Sequence, residues 1–159
     1  MALAYVGLGA NLGDRRASLT RAVEALRGLP NSRVQGVSTM REYAAVGGPP
    51  QPPYLNAVAA LETALSPRQL LQQFHALEAA AGRTRPDPVR WGPRSLDLDL
   101  LFYGDLVVND PDLIVPHPRL AERLFVLEPL AELAPETRHP VLRLTAAELL
   151  NRLRVGAAR

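Results

Sequence analysis

The order of strand-like and helix-like segments is the feature that most constrains the fold of this 159-residue chain. Apolar residues spaced three and four apart predict one helix that ends at Gly28 and another that begins after Ser66 and closes at Gly82. A short apolar run predicts a strand over residues 3–9, a run of mixed polarity predicts one over 32–43, and alternation predicts strands over 54–63 and 97–103. The order strand, helix, strand, strand, helix, strand is typical of the ferredoxin-like (split βαβ) α+β fold, an antiparallel sheet with helices on one face.

The C-terminal third carries weaker signals. Residues 110–118 have the composition of a loop, and residues 119–133 are predicted to contain a helix around residues 120–123. Thr145 and Glu148 have the spacing of a capping box, which predicts a helix running to about Arg154. Since the chain shows no internal repeat or linker, we expect a single domain over residues 1–159.

Composition excludes several classes of function. The net charge of +2 is too small for a general nucleic-acid binder. The absence of cysteine excludes disulfides, zinc–thiolate sites and thiol catalysis. All 18 basic residues are arginine, so phosphate must be bound by arginine, backbone or metal rather than by a P-loop lysine. No apolar run is long enough to cross a membrane and the N-terminus lacks a signal peptide pattern, so we expect a cytoplasmic protein without membrane contact.

Two acids on the last predicted strand are candidate metal ligands. Because side chains alternate along a strand, Asp97 and Asp99 should share a face, with Cα atoms roughly 6.5–7 Å apart. Carboxylates in this arrangement suit Mg²⁺. Leu98, Leu100 and Phe102 should then face the core on the opposite side. An isolated Asp-Leu-Asp is also typical of an ordinary half-exposed strand.

A basic loop immediately precedes those acids. Residues 83–95 carry four arginines and one aspartate, a local charge of +3. Arginine forks suit phosphate oxygens, although most charged runs are simply solvated. Beside the paired carboxylates, the arginines favour a metal–nucleotide site.

The segment RWGPRSLDLDLLFYGD, residues 90–105, resembles the signature of the 6-hydroxymethyl-7,8-dihydropterin pyrophosphokinase family of folate biosynthesis. Four further blocks resemble that family in order and spacing: YVGLGANLGDR at 5–15, YLNAVAALET at 54–63, LEAAAGRTR at 77–85 and VPHPRLAERLFVLEPLAELAP at 115–135. The resemblance implies a ferredoxin-like enzyme that moves pyrophosphate from ATP to 6-hydroxymethyl-7,8-dihydropterin. It also implies two Mg²⁺ ions bound with ATP, and we expect a monomer.

The resemblance assigns roles to individual residues. Asp97 and Asp99 would hold the Mg²⁺ ions, and with Arg83 and Arg94 they would form the catalytic set. The ATP contacts would be Arg83, Arg85, Arg94, Leu100, His117 and Arg123. The pterin contacts would be Val46, Tyr54, Asn56, Trp91 and Phe125. Residues 84–93 would form a lid that closes over both substrates.

Some of these residues also have simpler interpretations. Tyr54 and Asn56 share a strand face, where the Tyr54 ring suits stacking on a pterin and the Asn56 amide matches its amide-like edge. They equally suit the start of a strand. His117 lies in a Pro-His-Pro run typical of a stiff turn. Glu78 falls on the core-facing stripe of its helix, and no catalytic role is assigned to it.

Three glycines and two departures from the family pattern also bear on the predicted site. Gly7, Gly9 and Gly13 lack the spacing of a dinucleotide-binding motif, so we interpret them as close-packing and turn residues near the pterin site. Pro118 and residues 43–46 depart from the family pattern. Because contacts in that second segment are made by backbone groups, Val46 is still expected to touch the pterin.

Other functional classes fit parts of the sequence. A ligand-sensing ferredoxin-like domain would explain the fold but not the adjacent acids and arginines. An RNA-binding domain of this fold would need exposed sheet aromatics, and aromatic residues make up only 5% of the chain. A two-metal phosphatase or nuclease would need more carboxylates than Asp97 and Asp99.

Overall fold

The computed structural model describes residues 1–82 and 92–157 of the chain. Seven strands and four α-helices follow one another in these residues, with a 3₁₀ turn at Leu120–Glu122. In chain order they are β1 (Ala2–Ala10), α1 (Arg15–Arg27), β2 (Ser32–Val37), β3 (Arg41–Tyr43), β4 (Tyr54–Thr63), α2 (Pro67–Ala80), β5 (Asp97–Tyr103), β6 (Val108–Asp110), β7 (Leu113–Val115), α3 (Leu124–Leu133) and α4 (Ala146–Ala157).

The main sheet is antiparallel with the strand order β2-β4-β1-β5, and β3 pairs with the first residues of β4. The predicted ferredoxin-like α+β fold is therefore confirmed. The strand predicted over residues 32–43 is divided into β2 and β3. Between them Ser38 continues the pairing with its hydroxyl, which accepts a hydrogen bond from the Val58 amide at 2.9 Å.

Helices cover both faces of this sheet, so the prediction of helices on one face is wrong. On one face, α1 packs against β1 and β4 and α2 packs against β5, and together they bury Leu19, Leu26, Leu70 and Phe74. On the other, α3 and α4 bury a second cluster that includes Leu127 and Leu149. The central strand β4 is correspondingly buried along most of its length, as expected for a strand with both sides covered.

A register shift between β1 and β5 changes which face the later β5 side chains occupy. Val6 pairs with Leu100 but Tyr5 pairs with Phe102, so Leu101 is an extra residue in β5. Phe102 consequently joins the second cluster, with its ring edge-on to Tyr5 at 6.3 Å. Its predicted place beside Leu98 and Leu100 is therefore wrong.

Local signals at the helix ends are confirmed, whereas those around residue 110 are not. Ser66 caps α2, and Thr145 and Glu148 exchange the two hydrogen bonds of a capping box at the start of α4. Residues 110–118, predicted as a loop, contain β7 of a hairpin with β6. The helix predicted within residues 119–133 is present as α3, but residues 120–122, where it was expected, form the 3₁₀ turn that precedes it. Within the described ranges, no helix is both long and apolar enough to span a bilayer.

Candidate active site

A cleft opens where β4 and β5 begin, and many of the predicted site residues meet there. Its remaining walls come from residues 44–46, which follow β3, and from residues 119–125, at the start of α3. The predicted residues that line it are Val46, Tyr54, Asn56, Arg94, Asp97, Arg123 and Phe125. Ala44, Ala45, Arg119 and Glu122 also line the cleft and were not predicted.

The floor of this cleft is set by one row of three residues across adjacent strands. Gly9 of β1 pairs with Asn56 of β4 on one side and with Asp97 of β5 on the other. With neighbouring strands about 4.8 Å apart, Asn56 and Asp97 stand roughly 10 Å apart at their Cα atoms. A Cβ atom at Gly9 would lie 2.8 Å from Asn56 Nδ2, so this position needs glycine if Asn56 is to keep its place. The close-packing role predicted for Gly9 is confirmed.

Asn56 has a buried acceptor in this cleft. Its residue surface is 8% exposed, and its Nδ2 approaches the Leu8 carbonyl at 3.5 Å. Its Oδ1 is buried, and no donor among the described residues reaches it. Because buried polar atoms in proteins are almost always hydrogen-bonded, such an acceptor marks a position where a ligand donor fits.

The two acids on β5 share a face, as predicted, and each has a basic neighbour. Arg94 Nη1 lies 3.6 Å from Asp97 Oδ1, and His117 Nε2 lies 4.0 Å from Asp99 Oδ1. The acid side chains remain 24% and 35% exposed, respectively, so both are accessible to a ligand.

His117 is neutral at neutral pH. Burial, with help from the charges of Arg123 and Arg119, lowers its pKa to about 4. Its Nδ1 accepts a hydrogen bond from the Arg119 amide at 3.2 Å. The neutral ring therefore carries its proton on Nε2, the nitrogen that faces Asp99. His117 can donate a hydrogen bond there without adding a charge.

The cleft depends on Asn11, whose role the sequence reasoning missed. Asn11 is 2% exposed, and its Nδ2 donates to Gln51 Oε1 at 2.7 Å and to the Pro52 carbonyl at 3.0 Å. Its Oδ1 accepts from the Arg94 amide at 2.9 Å, and its own amide donates to the Arg94 carbonyl at 3.0 Å. This side chain joins the end of β1 to the loop before β4 and to Arg94. In the sequence, Asn11 with Gly13 and Asp14 close behind it indicates only a turn and the start of a helix.

Glu78 of α2 supports the strand that carries both acids. It is 1% exposed, and its Oε2 accepts a hydrogen bond from the amide of Leu98, the residue between Asp97 and Asp99, at 2.9 Å. β5 is the outer strand of the sheet, so this carboxylate satisfies a donor on its open edge. The sequence assigned Glu78 no catalytic role, and its place beneath β5 indicates a positioning one.

The donor set fits a magnesium ion bound together with phosphates. No group of three or more His, Asp or Glu side chains that could hold a metal occurs among residues 1–82 and 92–157. Asp97 and Asp99 supply two carboxylates. Mg²⁺ is commonly bound through one or two carboxylates while water and substrate phosphates complete its shell.

The similarity to known proteins agrees with this geometry. A family model described as 7,8-dihydro-6-hydroxymethylpterin-pyrophosphokinase (HPPK) matches residues 5–135. The chain belongs to the HPPK family. A Pseudomonas aeruginosa relative, named 2-amino-4-hydroxy-6-hydroxymethyldihydropteridine pyrophosphokinase, is 44% identical over 136 residues, covering 86% of this chain and 83% of the relative. A Bacillus subtilis relative of the same name is 44% identical over 131 residues, covering 82% of this chain and 77% of the relative.

Solved HPPK-containing structures share the fold. A Plasmodium falciparum HPPK-DHPS structure with pterin and p-hydroxybenzoate has a TM-score of 0.76 and 14% sequence identity. The match covers 99% of this chain and 45% of that one, so the chain spans less than half of the solved protein. At this identity the likeness establishes the fold alone.

Among the described residues, the HPPK resemblance also named three that do not line the cleft: Asp99, Leu100 and His117. Leu100 is 5% exposed with its side chain in the core, so only its backbone is available to a nucleotide. Arg83, Arg85, Arg90 and Trp91 lie outside the described residues, as does most of the lid predicted over 84–93. Beside that segment, the Tyr54 hydroxyl donates to the Gly92 carbonyl at 3.3 Å.

Proposed function

We propose that this chain transfers the terminal diphosphate of ATP to the hydroxymethyl group of 6-hydroxymethyl-7,8-dihydropterin, in folate biosynthesis. The observation that carries the proposal is the row Asn56–Gly9–Asp97. It puts a buried amide acceptor and the first of two paired carboxylates on opposite sides of one cleft. That spacing suits a flat heterocycle whose reactive alcohol points towards metal-bound phosphates.

Each wall of the cleft suits one substrate. Asn56 Oδ1 would accept a hydrogen bond from the amino or ring N–H edge of the pterin. Tyr54 and Phe125 would cover its two faces, with Val46 and Trp91 closing around it. The ATP phosphates would lie towards β5. Their contacts would come from Arg83, Arg85, Arg94, His117 and Arg123, with the backbone of Leu100 beside the nucleotide.

In the reaction, the hydroxymethyl oxygen attacks the β-phosphorus of ATP. The bond from that phosphorus to the oxygen bridging it to the α-phosphorus breaks, and AMP leaves. Arg94, with Arg83, would stabilise the charge that develops on the transferred group. Asp99 is the group we propose to take the alcohol proton. His117 cannot do so, because its Nε2 already carries a proton and its Nδ1 is occupied by the Arg119 amide.

Asp97 and Asp99 would hold two Mg²⁺ ions together with the ATP phosphates. When bound there, Mg²⁺ would neutralise phosphate charge and align the triphosphate. The chain's own contribution is to hold both carboxylates on one face, through the β1 pairing and the Glu78 hydrogen bond to Leu98.

The test is to incubate the protein with MgATP and 6-hydroxymethyl-7,8-dihydropterin and to separate the nucleotide products. AMP and the pterin diphosphate are expected in equal amounts. Formation of ADP, or formation of AMP when the pterin is left out of the mixture, would contradict the proposal. Asp97→Asn should reduce AMP formation by more than about 100-fold, since metal-based charge stabilisation supplies several kcal/mol. Asp105→Asn, an exposed acid in the turn after β5, is the matched control and should retain activity.

We further propose that one copy of the chain is sufficient for activity, as a monomer. Residues predicted for both substrates, such as Asn56 for the pterin and Arg94 for the phosphates, meet in one cleft within a single copy. Specific activity should therefore not depend on protein concentration, and sedimentation should give a single species of about monomer mass. A rise in specific activity on concentration would contradict this.

A further inference from the structure

Glu128 of α3 joins three elements immediately behind the cleft. Its Oε1 accepts a hydrogen bond from the Tyr43 hydroxyl of β3 at 2.8 Å. Its Oε2 accepts one from Arg154 Nη2 of α4 at 2.8 Å. The Glu128 side chain is 19% exposed and that of Arg154 is 57% exposed, so the carboxylate is the protected centre of the group.

Tyr43 lies directly against residues that form the cleft wall. Its ring centroid is 6.3 Å from that of Phe125, with the planes inclined by 57°. Along the chain it is followed by the wall residues 44–46, and across the sheet it pairs with Tyr54. A change in the position of Tyr43 should therefore shift Phe125, residues 44–46 and Tyr54, all of which line the cleft.

The protonation states of this group are settled by its surroundings. Burial and the hydrogen bond to Glu128 raise the pKa of Tyr43 to about 12, so the hydroxyl keeps its proton. Burial acts to raise the pKa of Glu128, but hydrogen bonds from Arg154 and Tyr43 outweigh it and hold that pKa below its usual range. The group is thus a neutral donor and a cation that share one carboxylate, and both bonds to the ionised acceptor are charge-assisted.

A second carboxylate one helical turn later, Glu132, also holds β3, and its partner Arg41 in turn interacts with the Tyr43 side chain. Glu132 accepts hydrogen bonds from the Thr39 amide at 2.9 Å, the Thr39 hydroxyl at 2.7 Å and Arg41 Nη2 at 2.7 Å. Breaking the Tyr43–Glu128 bond therefore leaves β3 attached to α3. What it frees is the orientation of the Tyr43 ring and of the segment that follows it.

We propose that Tyr43, Glu128 and Arg154 form a positioning group that sets the pterin-facing wall of the cleft. Through it, α4, which contributes no residue to the described cleft lining, affects affinity for the pterin but not for ATP. The inference rests on the proposed function, since it concerns the pterin side of the same cleft. None of the three side chains is expected to touch either substrate.

The experiment measures KM for pterin, KM for ATP, kcat and thermal stability in matched pairs of variants. Tyr43→Phe removes only the hydroxyl and keeps the ring against Phe125. Its control is Tyr103→Phe, which loses a similar hydrogen bond, from its hydroxyl to the Leu65 carbonyl at 2.6 Å, away from the cleft. Arg154→Ala is compared with Arg152→Ala, an exposed arginine of the same helix.

Tyr43→Phe should raise KM for pterin about three- to tenfold, because the charge-assisted bond from Tyr43 to Glu128 is lost and the wall beside Tyr43 is less well fixed. KM for ATP should change less than about twofold. Arg154→Ala should raise KM for pterin by only about two- to threefold, since its ion pair is partly screened by solvent. The double variant should equal Tyr43→Phe alone, because both act through Glu128. Both control variants should keep wild-type values for each substrate.

The outcomes separate this inference from the proposed function. If the wild-type protein forms no AMP, the proposed function fails. If it forms AMP but Tyr43→Phe matches Tyr103→Phe in its KM for pterin, the positioning group is refuted. Equal losses for pterin and ATP together with a lower melting temperature would also refute it, because they would show a purely structural role.

Discussion

Gly9→Ala should damage the pterin side of the site while leaving the fold in place. Gly9 has no positive φ angle, so alanine introduces no backbone strain. The new Cβ would lie 2.8 Å from Asn56 Nδ2 and 3.4 Å from Tyr54 Cδ1. Since ordinary non-bonded contacts are about 3.5–4.0 Å, the Asn56 amide must move by about 1 Å.

The size of the effect follows from that displacement. A misplacement of about 1 Å can cost about 100-fold in rate, so kcat/KM for pterin should fall by about 10- to 100-fold. The displaced group is the end of a side chain rather than backbone, which puts the overpacking cost near the low end of about 1–3 kcal/mol. For a domain of this size, about 1 kcal/mol lowers the melting temperature by about 2–4 °C.

The assay compares Gly9→Ala with Gly7→Ala, two residues away on the same strand. A Cβ at Gly7 would meet Leu101 Cδ2 at 3.5 Å, an ordinary contact, so this variant should bind pterin normally. Pterin and a non-hydrolysable MgATP analogue are titrated separately by calorimetry, and melting is followed by circular dichroism. Normal pterin binding by Gly9→Ala, or equal losses in both variants, would refute the argument.

Three further predictions concern charged and titratable residues in the cleft and beside it. Asp99→Asn should abolish AMP formation with an unchanged circular dichroism spectrum, because the side chain is partly exposed; normal turnover would remove the carboxylate pair from the mechanism. Arg94→Ala should lower kcat by about 10²–10³ and Arg94→Lys should restore only part of it, whereas a change confined to KM would limit Arg94 to binding. His117 is neutral in the folded state with a pKa of about 4, while the unfolded chain takes up the proton near pH 6.5. The unfolding free energy should therefore fall by about 1–2 kcal/mol from about pH 7 to about pH 5 through this group, and the slope should flatten in His117→Asn. Urea titrations of both proteins at the two pH values test this. If the unfolding free energy changes with pH equally in the wild type and in His117→Asn, the prediction is contradicted.

Features governed by local periodicity and capping could be predicted from the sequence. The bounds of β4 and β5 agree with the prediction, as do the caps at Ser66 and Thr145. Asp97 and Asp99 share a face because a strand alternates with a period of two, whatever packs against it. The family blocks add Tyr54, Asn56, Arg94, Arg123 and Phe125, and the fold brings all five to one cleft.

Features that depend on distant partners were decided only by the tertiary structure. Asn11 contacts Arg94 across 83 positions of the chain, and Glu78 reaches Leu98 across 20. Nothing near Asn11 distinguishes it from a turn asparagine. Glu78 falls on the core-facing stripe of its helix, but no local pattern indicates that its partner is Leu98. The extra residue at Leu101 depends likewise on how β5 registers against β1, which strand propensity alone does not determine. The sequence by itself therefore determined which residues are candidates for the chemistry and that Asp97 and Asp99 share one strand face. The long-range packing decided how those residues are held in place, because hydrogen bonds and register between distant segments leave no local pattern in a single sequence.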